Sequence, residues 1–244
     1  MEKQEYIIKV SELTKKYYIF DKDYQVLQWI FTGHGISKEK KALKNISFGV
    51  QKGDVIGVIG KNGSGKSTLM QIIAGITFPT SGKVEVNGSV GALINLSAGF
   101  DPDYTGRENL YYKGMLLGIT KAEIDDIIEP ICDFVELGEY FDLPLRMYSS
   151  GMSARLGFAL AVYSNPDVLI VDEVFAVGDR AFQIKSKEKM KELFRSGKSI
   201  LFSSHSESLI REFCNKVLYI RDGILIHYGD INKGFELYNS EINK

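Results

Sequence analysis

Gly60-Lys61-Asn62-Gly63-Ser64-Gly65-Lys66-Ser67, with Thr68 following, constrains this chain more than any other stretch. The apolar run Val55-Ile56-Gly57-Val58-Ile59 leads into it, and a periodic apolar segment from Leu69 to Ala74 leads out. Strand, glycine-rich turn and helix in that order fit the pattern G-x-x-x-x-G-K-[ST], a loop that cradles phosphates. Gly60, Gly63 and Gly65 are expected to let the backbone wrap close around phosphate oxygens, with no Cβ in the way. The amides and positive dipole end of the following helix attract an anion. Lys66 adds a mobile point charge suited to the β- and γ-phosphates of a nucleotide. Ser67 offers a hydroxyl to Mg²⁺. Asn62, Ser64 and Thr68 complete the loop expected to contact a nucleotide.

The 244 residues suffice for one large domain or two small ones, and 44% hydrophobic content supports a sizeable core. A net charge of -1 with dispersed basic residues gives no electrostatic reason to expect nucleic acid. The densest basic run, Lys38-Glu39-Lys40-Lys41, reads as a solvated loop. Cys132 and Cys214 lie far apart in predicted helices and read as buried small hydrophobes in a reducing compartment. The charged N-terminus carries no apolar signal core. No apolar run approaches the ~18 residues of a membrane span. The expectation is a cytoplasmic protein that reaches a membrane only through a partner.

Along the chain, Ile7–Val10 and Leu13–Phe20 read as strand. Tyr24–Phe31, with the only tryptophan at Trp29, is short and amphipathic at helical spacing. It either covers the core with its apolar side or touches a partner or membrane interface. Strands are expected at Ala42–Val50, Lys83–Val86 and Gly91 onward, and helices between Thr105 and Leu137. There Thr120-Lys121-Ala122-Glu123 matches a capping box. Met152–Tyr163 reads as a strongly amphipathic helix. Val168–Val171 reads as a strand buried on both faces. A helix at Arg180–Ser196, a strand at Ser199–Phe202, a helix at Glu207–Cys214, a hairpin about Asp222-Gly223 and a last polar helix complete the pattern. Alternating strands and helices imply an α/β core with a largely parallel sheet.

Asp172-Glu173 ends the buried strand. Ligands of open α/β sheets sit beyond the carboxyl ends of the strands, where the phosphate loop also lies. Asp172 is then suited to hold Mg²⁺ and Glu173 to deprotonate an attacking water. The competing reading is a helix cap with first-turn charge. His205 also ends an apolar strand and suits a γ-phosphate oxygen. His34 and His227 read as surface residues.

Taken together, the phosphate loop, Tyr148-Ser149-Ser150-Gly151-Met152, Val168–Glu173, Asp179 and His205 resemble, in order and spacing, an ABC-type ATPase. The resemblance runs from about Ile7 to Gly229. It implies a P-loop ATPase core with a mixed sheet, an antiparallel β subdomain and an inserted helical subdomain at about 101–163. All of 1–244 would form one domain. The segment Tyr148–Met152 departs from the usual L-S-G-G-Q. With Ser97-Ala98-Gly99-Phe100 and Thr105-Gly106-Arg107-Glu108-Asn109 it is similar to the ATPase subunits of polysaccharide exporters of the O-antigen, teichoic-acid and capsule types. The insertion at about 21–41 resembles the gate helix of the first two.

The resemblance further implies ATP and Mg²⁺ as ligands, with Ser149, Ser150 and Gly151 reaching the ATP held by a second copy. Asp179 would lie in a loop crossing that interface. It implies that Tyr17 stacks on adenine, with Tyr18 as the alternative. The catalytic set is Glu173, His205 and Lys66, and the metal set Ser67 and Asp172. Met152 stands where the family has glutamine. The loop that usually carries another glutamine falls near Leu96, so Asn95 or a backbone group takes that role or it is absent. A separate membrane permease and a place on the cytoplasmic face of the cell membrane are implied partners and location. The alternative is a non-transport relative working in DNA repair or translation.

Overall fold

The computed structural model describes residues 5–32, 38–172 and 178–242. Its centre is a six-stranded sheet in the order β5-β6-β7-β3-β8-β9. These are β3 (Val55–Ile59), β5 (Val90–Leu93), β6 (Val168–Asp172), β7 (Ser199–Ser203), β8 (Lys216–Arg221) and β9 (Ile224–Gly229). All neighbours run parallel except β9, which returns antiparallel through the Asp222-Gly223 turn. A second sheet, β2-β1-β4, joins β1 (Tyr6–Ile19), β2 (Lys38–Gln51) and β4 (Ser81–Val86) antiparallel.

The uninterrupted apolar runs of the central strands follow from burial on both faces. Successive side chains point to opposite faces. Ile56, Val58, Val168, Ile170, Leu201 and Leu218 join a core shared with β1, β2 and helix α2 (Lys66–Ile73). Val55, Ile59, Leu169, Val171, Phe202 and Val217 join the opposite core. That core is covered by α5 (Ser150–Tyr163), α6 (Arg180–Arg195), α7 (Glu207–Phe213) and α8 (Ile231–Ile242). It continues into α3 (Gly106–Leu116) and α4 (Lys121–Val135). Full burial of each such aliphatic side chain contributes about 1.5–3 kcal/mol.

Three expectations need correction. The expected loop Lys38–Lys41 is the start of β2, with Lys40 opposite Tyr17 and Lys41 opposite Lys16. β2 is an edge strand, and its exposed charged residues are what an edge tolerates. Second, α5 is not a one-sided amphipathic helix. Residues 156–162 are buried in succession, because the helix sits between the sheet and α4 and packs into the same core. Third, α1 (Asp23–Thr32) does not cover the core. Trp29 packs on Tyr18 and Phe20 at ring distances of 5.1 and 5.9 Å, while Leu27, Ile30 and Phe31 stay exposed. His34 lies outside the described residues, and His227 is half-buried in β9.

The capping box at Thr120–Glu123 is present, and Thr105–Glu108 forms a second one at the head of α3. Cys214 is buried and Cys132 partly so, both free. Gly157 lets α5 lie directly on the chain after β5, since a Cβ there would come within 2.0 Å of the Leu96 carbonyl oxygen. Backbone on both sides leaves no flexible atom to yield. Gly157→Ala should therefore lower stability by about 1–3 kcal/mol, read as a shifted midpoint in urea unfolding at unchanged slope.

Candidate functional site

The carboxyl ends of β3, β6 and β7 meet at one cavity of about 280 Å³. Asn62, Gly63, Gly65, Lys66, Ser67 and Thr68 line it from the loop and the head of α2. Asp172 reaches it from the end of β6, Ser203 from the end of β7 with His205 just beyond, and Tyr17 with Lys40 and Ala42 from the antiparallel sheet. Residues separated by up to 188 positions are thus brought together by parallel strands ending side by side.

The loop's shape comes from its glycines, though not as expected. Gly60, Gly63 and Gly65 have φ of 150°, 77° and 113°. A Cβ on Gly60 would lie 2.2 Å from the Ile220 carbonyl oxygen, and one on Gly65 2.6 Å from that of Ala42. These two are required by the protein's own backbone on either side. Gly63 meets nothing within 4 Å and serves conformation alone. Helix α2 starts at Gly65 with no side-chain cap, so its first amides face the cavity without competition from a hydroxyl. The Lys66 ammonium, only 8% exposed, donates to the carbonyls of Gly60 at 2.7 Å and Lys61 at 3.2 Å.

Asp172 Oδ1 accepts a hydrogen bond from Ser203 Oγ at 2.7 Å. The two residues are paired in the β6–β7 ladder, and Ser203 is buried. This serine fixes the carboxylate of a residue that lines the cavity. The strand register that pairs Ser203 with Asp172 has no local signature in the sequence. Lys40 was missed with the rest of the β2 start. The Ser67 hydroxyl and the Asp172 carboxylate both line this cavity and supply oxygen donors, the donor type that suits Mg²⁺. Among the described residues, no cluster of three or more His, Cys, Asp or Glu offers a protein-only metal cage.

Tyr17 faces the cavity and is 39% exposed, with the Lys15 ammonium 5.0 Å from its ring centroid. Tyr18, on the other face of β1, is taken up by Trp29. Glu173 lies outside the described residues, directly after Asp172. Ser64 sits beneath the loop with a buried hydroxyl.

Ser149, Ser150 and Gly151 are away from this cavity, at the head of α5. Ser149 Oγ caps the helix by accepting from the Met152 amide at 3.2 Å. A Cβ on Gly151 would lie 3.8 Å from Gly178 Cα, so the turn rests against the chain entering α6. Asp179 caps α6, accepting from the Phe182 amide at 3.0 Å, and pairs with Arg155 of α5 at 2.8 Å. Asn95 lines a separate groove of about 200 Å³, not the cavity beside the phosphate loop. Lys113 donates to the Leu96 carbonyl at 2.8 Å in that groove, and burial pushes its amine down to about 8.

With this geometry fixed, comparison with known proteins is decisive on family. The ABC transporter family model matches residues 43–176, which holds the phosphate loop, the Ser149–Gly151 turn and Asp172. The chain belongs to the ABC transporter family. Its fold agrees with solved members. An ATP-binding subunit of an ABC transporter gives a TM-score of 0.74 at 22% identity, covering 98% of this chain and 100% of that one. The ATP-binding cassette MJ0796, solved as a dimer bound to ADP and Pi, gives 0.69 at 21% identity, covering 92% and 98%. In sequence, the chain is 43% identical to the teichoic acids export ATP-binding protein TagH of Bacillus anthracis over 98% of its own length and 43% of that protein. It is 44% identical to the O-antigen export system ATP-binding protein RfbB of Klebsiella pneumoniae over 81% of its length and 80% of that protein. The chain thus spans less than half the length of the TagH proteins it matches. No helix among the described residues of this ABC family member is long and apolar enough to cross a membrane.

The Phe182 amide above all, with help from Arg155, holds the Asp179 carboxyl below the ordinary value of 3.8. A depressed folded value means stability that is full above the ordinary value and lost as pH falls through the folded one. Asp179→Asn keeps a capping side chain and removes the charge. Its urea midpoint should fall below wild type at pH 7, and the gap should close in acid below pH 3.8, where wild type too becomes neutral.

Proposed function

We propose that this chain is the ATP-hydrolysing subunit of an exporter of lipid-linked polysaccharide, working with a separate membrane permease. One observation carries the ATPase part: Lys66, Ser67, Asp172 and His205 line one cavity with the aromatic face of Tyr17 at its edge. The export part is supported by the relatives named for teichoic acid and O-antigen export. The shared chemistry of those cargoes, a polysaccharide, is the substrate class. A near-neutral chain gives nucleic acid no electrostatic attraction. The location that follows is peripheral, at the cytoplasmic face of the cell membrane.

In this reading Tyr17 stacks on adenine, a face contact that does not select the base strongly. The amides from Gly63 to Thr68 and the Lys66 ammonium surround the β- and γ-phosphates, with Asn62 and Ser64 shaping the loop. Ser67 and Asp172 would hold Mg²⁺, with the Asp172 carboxylate fixed by its hydrogen bond from Ser203. When bound, Mg²⁺ would supply positive charge to offset that of the phosphates. Glu173 takes a proton from the attacking water, while His205 donates to a γ-phosphate oxygen. Water oxygen bonds to the γ-phosphorus as its bond to the bridging oxygen breaks, giving ADP and inorganic phosphate. Preorganised donors and cations supply most of the catalysis in such a transfer.

Ser149, Ser150 and Gly151 lie off their own chain's cavity, which supports their engaging the ATP of a second copy. Their helix N-terminus repeats the anion-binding device of the phosphate loop. Two half-sites closed by a two-fold axis give a head-to-tail homodimer, with Asp179 near the crossing loops. The whole chain acts as one cassette, with residues of about 101–163 as its helical subdomain. The exposed apolar side of α1, within the insertion of about 21–41, supports a contact to the permease.

Glu173→Gln should abolish phosphate release while leaving ATP affinity and ATP-dependent dimerisation in place, since the amide cannot accept the proton. Hydrolysis near the wild-type rate would rule out its role as base. Lys66→Ala should weaken ATP binding itself at least tenfold in equilibrium titration, because a charge-assisted contact to phosphate is lost. An unchanged dissociation constant would remove the loop from the nucleotide site.

A further inference from the structure

The last helix reaches back to the phosphate loop. Phe235, 4% exposed, seats α8 in the core, and Tyr238 packs edge-on against Tyr219 of β8 at 5.5 Å. One turn further, Glu241 gathers three partners. Its Oε1 lies 3.1 Å from the ammonium of Lys61, the second residue of the phosphate loop. Its Oε2 accepts from the Tyr219 hydroxyl, and the Arg221 guanidinium lies 3.8 Å away. Glu241 is largely shielded at 20% exposure, whereas Lys61 is 52% exposed.

We propose that Glu241 is a positioning residue for the phosphate loop: by holding Lys61 it fixes the carbonyls on which the Lys66 ammonium is seated. This rests on the reading of the loop as the ATP site. The Lys61 carbonyl accepts from Lys66 at 3.2 Å and the adjacent Gly60 carbonyl at 2.7 Å. Movement of residue 61 therefore moves the seat of the phosphate-binding amine. Elsewhere the lip meets the backbone of β8 and its turn. Gly223 N donates to the Ser64 carbonyl at 2.9 Å, and Gly60 lies against Ile220. Between these points a cavity of about 60 Å³ opens under Lys61, Ser64, Ile220 and Glu241, so the lip has room to shift when the carboxylate lets go.

An isolated exposed ion pair would do little. Here the carboxylate is fixed first by the hydroxyl of Tyr219, whose ring is buried on a core strand, and only then offered to Lys61. The Tyr219 hydrogen bond, with Lys61 and Arg221 behind it, keeps Glu241 ionised below the ordinary glutamate range. The more exposed partner is the loop lysine; the anchored one is the acid. A displacement of α8 on the sheet is thus felt at the nucleotide site, 180 residues earlier in the chain.

The test is a double-mutant cycle on the full chain, with ATP affinity in the presence of Mg²⁺ read by equilibrium titration and unfolding midpoints taken without nucleotide. Lys61→Met and Glu241→Gln should each weaken ATP binding about 3–10-fold, and the double variant no further, because one link is broken in all three. Lys61→Met removes a half-exposed charge and leaves the core intact, so it carries the test even if Glu241→Gln folds poorly. Losses that add in the double variant, or an unchanged affinity in Lys61→Met, would overturn the proposal. A lowered midpoint with unchanged affinity would make Glu241 merely structural and overturn it too. Wild-type protein that binds no ATP would instead sink the nucleotide-site reading beneath it.

Discussion

Everything in this structure hangs on β3 lying in the middle of a parallel sheet with both faces covered. Its five residues are all buried, with β7 on one side and β8 on the other. A strand so enclosed can continue only by leaving through its carboxyl end, and Gly60 is the first residue out. The Ile220 carbonyl stands where any side chain on residue 60 would go. On the other side of the loop the Ala42 carbonyl does the same to residue 65. The loop is therefore squeezed between β8 and β2 before any ligand is considered, and its open amides are a by-product of that squeeze. Two of the three glycines that mark a phosphate loop are thus set by packing within the protein, and the third by φ alone.

The same parallel arrangement decides which side chains can meet. Parallel strands put their carboxyl ends on one edge, so Asp172 and Ser203 arrive beside the loop without any loop of their own having to be long. Antiparallel β1 and β2 then close the side of the cavity, and strand alternation sorts their aromatics. Tyr17 faces in, while Tyr18 faces out and receives Trp29. A one-residue slip of β1 would exchange these two rings and carry every core residue of the strand to the wrong face. The burial of Ile8, Val10 and Leu13 against α2 is what forbids the slip and so holds the aromatic at the cavity mouth.

Legibility followed the range of the interactions. Val168–Val171 and Val55–Ile59 read correctly because doubly buried strands need apolar residues at every position, a local signal. Residues 156–162 misled because Gly157, Ala159 and Ala161 are small: they look like a weak face, yet their size lets α5 sink among its neighbours. Lys38–Lys41 misled because an edge strand with charged side chains has the composition of a loop. At the site, the phosphate loop, Asp172 and His205 were legible as strand ends next to polar residues. Their convergence in one cavity needed only the parallel sheet. The Ser203–Asp172 bond, the place of Lys40 and the Glu241–Lys61 pair depend on register and on long-range docking, which no local pattern records. Asn95, singled out as the nearest polar residue, turned into a neighbouring groove because its left-handed backbone, φ 50°, swings the chain away.

The two helix starts that matter here are built differently. Helix α2 has a glycine where a capping side chain would stand, so its orphan amides are offered to whatever enters the cavity. Helix α5 has Ser149, whose hydroxyl already satisfies the Met152 amide. An anion approaching α5 meets a hydroxyl that is committed as acceptor but can still donate, a weaker and more directional grip. On the proposed dimer, one phosphate group would be held tightly by its own chain and lightly by the other. Such an asymmetry would let the proposed interface part without the nucleotide leaving first. The turn at the head of α5 does not stand alone. Gly151 rests against Gly178, and Arg155, stacked 5.0 Å from the Phe182 ring, is tied to the Asp179 cap. A pull on the head of α5 is therefore passed to the head of α6.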